Sequence, residues 1–177
     1  MKQIVWTTAA VTVLGLQACA MAPQAPTHTE LKDCVIQEVI PGKDMTGAFV
    51  RFVHAGPAVE IVRAEVPSIS PRVELHSMEL KNGVMEMIPL TSPSLAQGER
   101  VFRKGADHVM LFDIARKPAV GSHHEMTVHF SDGSRASCTA VVKSVAEVMR
   151  EAGLAGKGHQ GGHGQMPPAH APAATGH

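Results

Sequence analysis

Aromatic residues are scarce in this chain of 177 residues, which has no tyrosine, one tryptophan and five phenylalanines. Its core must therefore be built mainly from valine, isoleucine, leucine, alanine and methionine, and its length suits a single domain. Neither sign of charge is in excess, because 16 basic side chains balance 16 acidic ones, so an attraction to nucleic acid is not indicated. A Walker loop, a His-Glu-x-x-His motif and a Ser-His-Asp order are all lacking. A catalytic function therefore finds little support, and we predict that the protein is not an enzyme.

The apolar segment at residues 4–16 is too short to cross a bilayer. Because Lys2 precedes it, the segment resembles the core of a signal peptide. We predict a signal peptide over residues 1–20. Its last residues, Leu-Gln-Ala-Cys-Ala, fit a lipobox, in which Cys19 would be lipidated and attach the protein to a membrane. They also fit an ordinary signal-peptidase site, and an uncleaved anchor is a third interpretation. All three place the domain in the periplasm or on the outer face of a bacterial membrane.

Only three cysteines are present, and export changes their meaning. Because Cys19 falls in the signal region, Cys34 and Cys138 remain as an even pair in an oxidising compartment. A structural disulfide between them would join the first and last strand-like segments and contribute roughly 3–5 kcal/mol on loop-entropy grounds. The alternative is a pair of thiolate ligands or a redox pair, although no Cys-x-x-Cys spacing supports it.

Short strand-like segments separated by glycine, proline, asparagine and aspartate fill the middle of the chain. The domain is predicted over residues 31–155, after a linker at residues 21–30. Ser144 and Glu147 form a capping-box pattern at the start of a short helix over residues 145–153. The strands are predicted at residues 32–40, 47–54, 58–66, 72–80, 84–88, 99–103, 108–115, 124–130 and 136–143. So many short strands at this spacing indicate an all-β, antiparallel sandwich or barrel.

The last segment, residues 156–177, is rich in glycine, proline, alanine and histidine, and we predict a disordered tail because almost nothing in it could pack. It carries five nitrogen and sulfur donors, which are His159, His163, Met166, His170 and His177. A low-complexity linker is one interpretation of this tail. Several imidazoles on one segment also raise the local ligand concentration, which favours weak copper capture, including capture of Cu(II).

Ten methionines and eleven histidines are a high content of nitrogen and sulfur donors for a chain with so few aromatic residues. The first group of donors lies in a predicted hairpin whose turn is Lys81-Asn82-Gly83. His76 and Met78 share one side of its first strand, because side chains alternate between the two faces of a sheet. Met87 lies on the partner strand, and we expect it to approach His76 across the pair.

His108 and Met110 form the second group. They are two residues apart on a predicted strand and project to the same face. With His76 and Met87 they offer two imidazole nitrogens and two thioether sulfurs, a ligand set that suits Cu(I). Zinc sites prefer thiolate, histidine and carboxylate, whereas calcium and magnesium require oxygen ligands. A blue-copper site would need a cysteine thiolate with histidine and methionine close by, and neither follows Cys138 at ligand distance.

These segments resemble the periplasmic copper chaperone family PCu(A)C. The motif of that family is a histidine, a methionine about ten residues later, and a His-x-Met pair about twenty residues after that. Here ten residues separate His76 from Met87, and twenty separate Met87 from His108. The surrounding residues also match, in Val-Glu-Leu-His-x-Met, Gly-Val-Met-x-Met, His-Val-Met-Leu and an early Thr-Gly-Ala-Phe. The resemblance extends over about residues 32–143.

The resemblance implies a cupredoxin-like, Greek-key β-sandwich that binds one Cu(I) through His76, Met87, His108 and Met110, with Met78 as an occasional further ligand. It also implies that the protein accepts Cu(I) outside the cytoplasm and exchanges it with copper donors or acceptors of respiratory oxidase assembly, such as the copper centre of a cytochrome oxidase. A copper-sequestering envelope lipoprotein that provides tolerance is an alternative, because the same site chemistry serves both functions. An electron-transfer cupredoxin is a second alternative.

Overall fold

The computed structural model describes residues 27–154, which form ten β-strands and one α-helix. The strands are β1 (His28–Gln37), β2 (Thr46–Ala55), β3 (Val59–Glu65), β4 (Arg72–Lys81), β5 (Val84–Pro89), β6 (Ser94–Leu95), β7 (Gly98–Phe102), β8 (His108–Phe112), β9 (His123–Phe130) and β10 (Arg135–Lys143), and the helix is α1 (Val145–Glu151). The predicted all-β fold class, with a short helix after the last strand, is confirmed.

The predicted elements lie close to the observed ones and differ from them mainly at the ends. β1 begins at His28, so the last residues of the predicted linker at residues 21–30 already belong to the sheet. β6 has no counterpart among the predicted strands, because two residues are too few to show an alternation of polar and apolar side chains. The helix ends at Glu151, two residues earlier than predicted, and Ala152 is its C-cap.

Hydrogen-bonded strands follow the order β5-β4-β8-β2-β1-β10-β9-β3-β6, and β7 pairs with the remaining length of β2. Neighbouring strands in the described part of the chain are antiparallel apart from β1 and β10, which are parallel. β3 also lies beside β4, so the row of strands curls back on itself and encloses a core between two layers. This arrangement is the predicted sandwich, with one parallel pair in addition.

Aliphatic side chains make up most of the core, as the scarcity of aromatic residues requires. Val109 and Leu111 of β8 are fully buried members of it. Side chains alternate along a strand, so when Val109 and Leu111 point into the core, His108 and Met110 lie on the opposite face of β8. Other large side chains that are fully buried are Phe52, Phe102, Ile36, Ile61, Leu95 and Met126.

The hairpin between β4 and β5 has the two-residue turn Asn82-Gly83. Both residues have positive φ angles, 51° and 81°, as a type I′ turn requires and as the Asn-Gly sequence favours. The turn pairs Lys81 with Val84, and the register that follows places Met78 directly opposite Met87. The chemistry of the turn therefore determines which residues of β4 and β5 lie side by side.

Cys34 of β1 and Cys138 of β10 form a disulfide across the parallel pair of strands. Cys34 lies within a bulge of β1, where the register with β2 shifts between Lys32 and Val35. The two cysteines are 104 residues apart in the sequence, so the bond closes a loop that contains most of the domain.

The helix α1 is anchored at both its cap and its buried face. The Ser144 hydroxyl accepts a hydrogen bond from the backbone N–H of Glu147, and the Glu147 carboxylate accepts one from the Ser144 backbone, which is the predicted capping box. Val148 packs against Val35 and Phe49 on the outside of the sheet. Between residues 27 and 154, no helix is long and apolar enough to cross a membrane.

Candidate metal centre

The predicted copper ligands lie on one face of three adjacent strands, β5, β4 and β8. His76 on β4 is the direct cross-strand partner of His108 on β8, and Met78 is the partner of Met87 on β5. Paired residues of an antiparallel sheet project to the same side, as do residues two apart on one strand. Met110 follows His108 by two residues and shares this side. The sheet thus brings the five side chains to a single face.

The two histidine rings are close enough to bind one metal ion. Their centroids are 6.1 Å apart and their planes are inclined by 46°. Because an imidazole nitrogen binds a metal at about 2 Å, its ring centroid lies roughly 3 Å from the ion. Two rings that bind one ion can therefore have centroids up to roughly 6 Å apart by the same bond length. The separation of His76 and His108 agrees with that span.

Each of the two rings uses one nitrogen in a hydrogen bond. His108 Nδ1 donates to the carbonyl oxygen of Ala106 at 2.8 Å. His76 Nε2 donates to Glu74 Oε2 at 2.9 Å, while its Nδ1 is buried and has no hydrogen-bond partner among residues 27–154. A buried polar group without a partner costs about 1–3 kcal/mol of stability. A metal ion is a partner that would satisfy this nitrogen.

A groove of about 330 Å³ opens beside the histidine pair. Its wall contains His108 and the three methionines of the same face, Met78, Met87 and Met110. His76 is the cross-strand partner of His108 but does not itself line the groove. The remaining wall residues come from other segments and are Gln37, Ile40, Lys43, Met45, Thr46, Gly47, Phe49, Lys104 and Gly105. The groove therefore presents thioether sulfurs and an imidazole, a lining that suits a soft cation.

Exposure to solvent increases across the ligand face from β8 to β5. His76, His108 and Met110 expose only 6%, 7% and 9% of their surface, whereas Met87 exposes 42%. Met78 is partly buried. Met87 is therefore the donor that an ion or a protein in solution can reach most directly.

Burial lowers the pKa of His108, because desolvation disfavours the charged imidazolium. The hydrogen bond to Ala106 opposes this shift, and the nearby His76 and Lys104 add to it. Burial also lowers the pKa of Lys104, whose Nζ donates to Gln37 Oε1 at 2.9 Å. The neutral form of His108, which is the form that binds metals, is thus favoured at neutral pH.

The opposite face of β4 and β8 carries side chains that hold the two strands in register. Ser77 Oγ donates to Asp107 Oδ1 at 2.7 Å, and Arg100 Nη2 donates to Asp107 Oδ2 at 2.7 Å. Although burial opposes the shift, hydrogen bonds from Arg100 and Ser77 hold the pKa of Asp107 below its usual range. An ionised Asp107 therefore links β4, β7 and the start of β8 directly behind His76 and His108.

Several residues around the site were not predicted from the sequence. Glu74 lies two residues before His76, and strand alternation is the signal that could have identified it. Hydrogen bonds from His76 and then Arg72 hold its pKa below the usual range. Met45 and Lys104 lie outside the strands and reach the groove only through the tertiary structure, so no local pattern indicates them.

The two cysteines of the described chain, Cys34 and Cys138, lie on β1 and β10 and not on the strands of the ligand face. Cys34 and Cys138 are bonded to each other and offer no free thiolate in this structure. Cys19 and the predicted donors of the tail lie outside the described residues. In the described part of the chain, no group of three or more His, Cys, Asp or Glu side chains could hold a metal ion.

Comparison with known proteins identifies the family. The family model of LpqE-like proteins, which are named as lipoproteins, matches residues 29–142. The chain belongs to the LpqE-like family. A relative named as a lipoprotein, Lxx21020 of Leifsonia xyli subsp. xyli (strain CTCB07), is 29% identical over 145 residues, which cover 77% of this chain and 87% of the relative. The matched region of this LpqE-like protein includes all three strands of the ligand face.

Solved structures share the fold of this LpqE-like protein. The copper-bound PCuAC domain from PmoF2 has a TM-score of 0.50 at 18% identity, with 70% of this chain and 97% of that domain covered. The apo PCuAC domain from PmoF1 has a TM-score of 0.51 at 14% identity, with 70% of this chain and 98% of that domain covered. Apo-DR1885 from Deinococcus radiodurans has a TM-score of 0.51 at 22% identity, with 81% of this chain and 99% of that chain covered. The predicted resemblance to PCu(A)C proteins and the cupredoxin-like sandwich are confirmed.

Proposed function

We propose that this LpqE-like protein is a copper chaperone, which binds one Cu(I) through His76, Met87, His108 and Met110 and passes it to a partner. The observation that supports this most directly is the pairing of His76 with His108 beside a groove lined by methionines. Two imidazoles and two thioethers suit Cu(I) better than zinc, calcium or magnesium. One of the solved structures with this fold is a copper-bound domain.

The chemistry of these ligands suits a protein that releases its metal. Imidazole and thioether bind Cu(I) as neutral groups, so no thiol has to lose or regain a proton during transfer. Met87 is the most exposed of the four and is the first ligand that a partner can replace. Met78 lies directly opposite Met87 and is the further ligand that holds the ion while Met87 is exchanged.

We propose that the protein acts outside the cytoplasmic membrane, where a signal peptide over residues 1–20 would direct it and a lipid on Cys19 would hold it. The lipoprotein names of the family and of its Leifsonia relative support this location. Its partners are then copper donors and acceptors of the same compartment, and a cytochrome oxidase copper centre is the recipient that we propose.

The tail donors are proposed to gather copper, including Cu(II), for the groove. The described chain ends at Leu154, whose Cδ1 lies 4.0 Å from the position of a Cβ atom added to Gly105. Gly105 belongs to the wall of the groove. His159 follows Leu154 by five residues, and five residues of any chain span at most about 17 Å. Copper bound in the first part of the tail is therefore within reach of the groove.

Anaerobic titration with Cu(I) against a competing chelator tests the ligand set. We expect one tight site in the parent protein and at least a tenfold loss of affinity, about 1.4 kcal/mol, in Met87→Leu and in His108→Ala. Met85→Leu is the matched control, because Met85 is exposed on the same face of β5 but does not line the groove. His123→Ala controls for the loss of an exposed imidazole. If Met87→Leu and His108→Ala bound Cu(I) as tightly as the parent, the proposed site would be wrong.

Sequestration for copper tolerance is the second candidate function, since the exposure of Met87 to solvent suits capture as well as transfer. A deletion strain separates the two functions. Loss of oxidase assembly at low copper would support delivery, whereas sensitivity to high copper without an assembly defect would support sequestration.

A further inference from the structure

A row of polar side chains leads along β4 to the His76 ring. Arg72, Glu74 and His76 follow one another at intervals of two residues and therefore project to the same face. Glu74 Oε2 accepts a hydrogen bond from His76 Nε2 at 2.9 Å, and Glu74 Oε1 accepts one from Arg72 Nη1. Both oxygens of this carboxylate are thus engaged by side chains of its own strand.

Arg72 is itself held by residues at the end of β8. Its Nε donates to Asp113 Oδ2 at 2.9 Å, and its guanidinium lies 4.1 Å from the centroid of the Phe112 ring. The centroid of the Phe112 ring also lies 5.8 Å from that of the His76 ring. The carboxylate of Glu74 is therefore fixed on one side by Arg72, while the imidazole that it contacts packs beside Phe112.

We propose that Glu74 is a positioning residue of the copper site and selects the ring nitrogen through which His76 binds Cu(I). The inference rests on the proposed function. A carboxylate that accepts a hydrogen bond from one ring nitrogen fixes the proton there and leaves the lone pair on the other nitrogen. In His76 the proton is on Nε2, and the donor to copper is Nδ1, the atom that is buried without a partner in the described chain.

His108 has the opposite arrangement. Its Nδ1 donates to the carbonyl oxygen of Ala106, so its lone pair is on Nε2. The ion is therefore bound by Nδ1 of His76 and by Nε2 of His108. Histidines exposed on the surface would not differ in tautomer in this way. The tautomers of His76 and His108 can be measured before any copper is added.

The direct test is long-range ¹H–¹⁵N correlation NMR of the full chain, labelled at histidine and studied above the histidine pKa. We expect the proton on Nε2 in His76 and on Nδ1 in His108, and addition of one equivalent of Cu(I) should shift His76 Nδ1 and His108 Nε2. A proton on Nδ1 of His76 in the apoprotein would overturn the proposal whether or not copper binds. If instead both histidines show the predicted tautomers but no copper binds, the proposed function is wrong, and the contact of Glu74 with His76 is only a structural feature.

The variant Glu74→Ala tests whether the carboxylate matters for binding. Loss of a partner that orients a metal ligand typically lowers metal affinity 10–100-fold, and we expect a loss in this range together with a mixture of His76 tautomers. Glu74→Gln keeps a carbonyl oxygen as an acceptor and should restore the Nε2–H tautomer and part of the affinity. Glu79→Ala is the matched control, because Glu79 is an exposed carboxylate on the other face of β4. A Glu74→Ala protein with the parent's tautomer and affinity would overturn the proposal.

Discussion

Burial of the His108 ring has a consequence that is measurable in the apoprotein. Because burial lowers the pKa of His108, the folded protein accepts a proton on this ring only below the ordinary histidine value of about 6.5. The unfolded chain is protonated at the ordinary value, so it binds more protons than the folded protein between the two pKa values. We therefore expect the contribution of His108 to stability to be complete above about pH 6.5 and to be lost as the pH falls toward the folded pKa.

Two measurements check this prediction. The His108 ring signals in NMR should titrate with a midpoint below the ordinary histidine pKa, and a midpoint at or above that pKa would contradict this prediction. In urea unfolding of the apoprotein, the parent should lose more stability between about pH 7.5 and pH 5.5 than His108→Gln, which has no imidazole to protonate at this position.

The residues of the site could be predicted only as far as local patterns extend. Alternation along a strand predicts that His108 and Met110 share a face, and the Asn82-Gly83 turn predicts that Met87 folds back toward β4. Neither pattern predicts that β4 pairs with β8, the pairing that makes His76 and His108 direct neighbours. That pairing depends on the order of strands in the sheet, which is set by packing between distant parts of the chain.

At the level of single elements, the β4–β5 hairpin is the one whose turn positions a proposed ligand. Gly83 has a φ of +81°, and an added Cβ would meet no atom within 4 Å, so Gly83→Ala introduces backbone strain and no clash. We expect it to lower the free energy of unfolding by about 1–2 kcal/mol. We also expect weaker Cu(I) binding, because a strained turn loosens the register that holds Met87 opposite Met78.

Thermal unfolding and Cu(I) titration of the same variants check this expectation. Asn82→Gly is the control, since glycine readily adopts the φ of +51° found at this position and should keep the copper affinity of the parent. A Gly83→Ala protein with unchanged stability would show that the turn does not constrain the hairpin in this way.

The strands illustrate what the sequence can and cannot predict about the fold. β9 and β10 could be predicted closely, because the four residues between them, Ser131-Asp132-Gly133-Ser134, are typical of a hairpin turn. The parallel pairing of β1 with β10 could not, since it joins the two ends of the domain and no turn connects them. The start of β1 at His28 was missed because His28, Thr29 and Glu30 are polar residues that resemble a linker.

At the scale of the whole molecule, the Cys34–Cys138 disulfide joins the ends of the domain, whereas the ligand face lies on β4, β5 and β8. We expect a double Cys34→Ala, Cys138→Ala variant to lose roughly 3–5 kcal/mol of unfolding free energy, because the bond closes a long loop. Where the variant remains folded, it should bind Cu(I) with the parent's affinity.

Denaturant unfolding, with the reduced parent protein as a control, measures the loss of stability. Cu(I) titration below the unfolding transition measures the copper affinity. A folded double variant that had lost its copper affinity would contradict the separation between the disulfide and the site. It would then favour a direct role of the cysteines in copper handling.

In the proposed site, four neutral donors from β4, β5 and β8 converge on one ion. X-ray absorption at the copper edge, measured on the full chain loaded with one equivalent of Cu(I), identifies the atoms that surround the ion. We expect nitrogen and sulfur neighbours together, with a weaker sulfur contribution in Met87→Leu and an unchanged one in Met85→Leu. A spectrum that contained only nitrogen and oxygen neighbours, or that was the same in all three proteins, would show that the proposed ligand set is wrong.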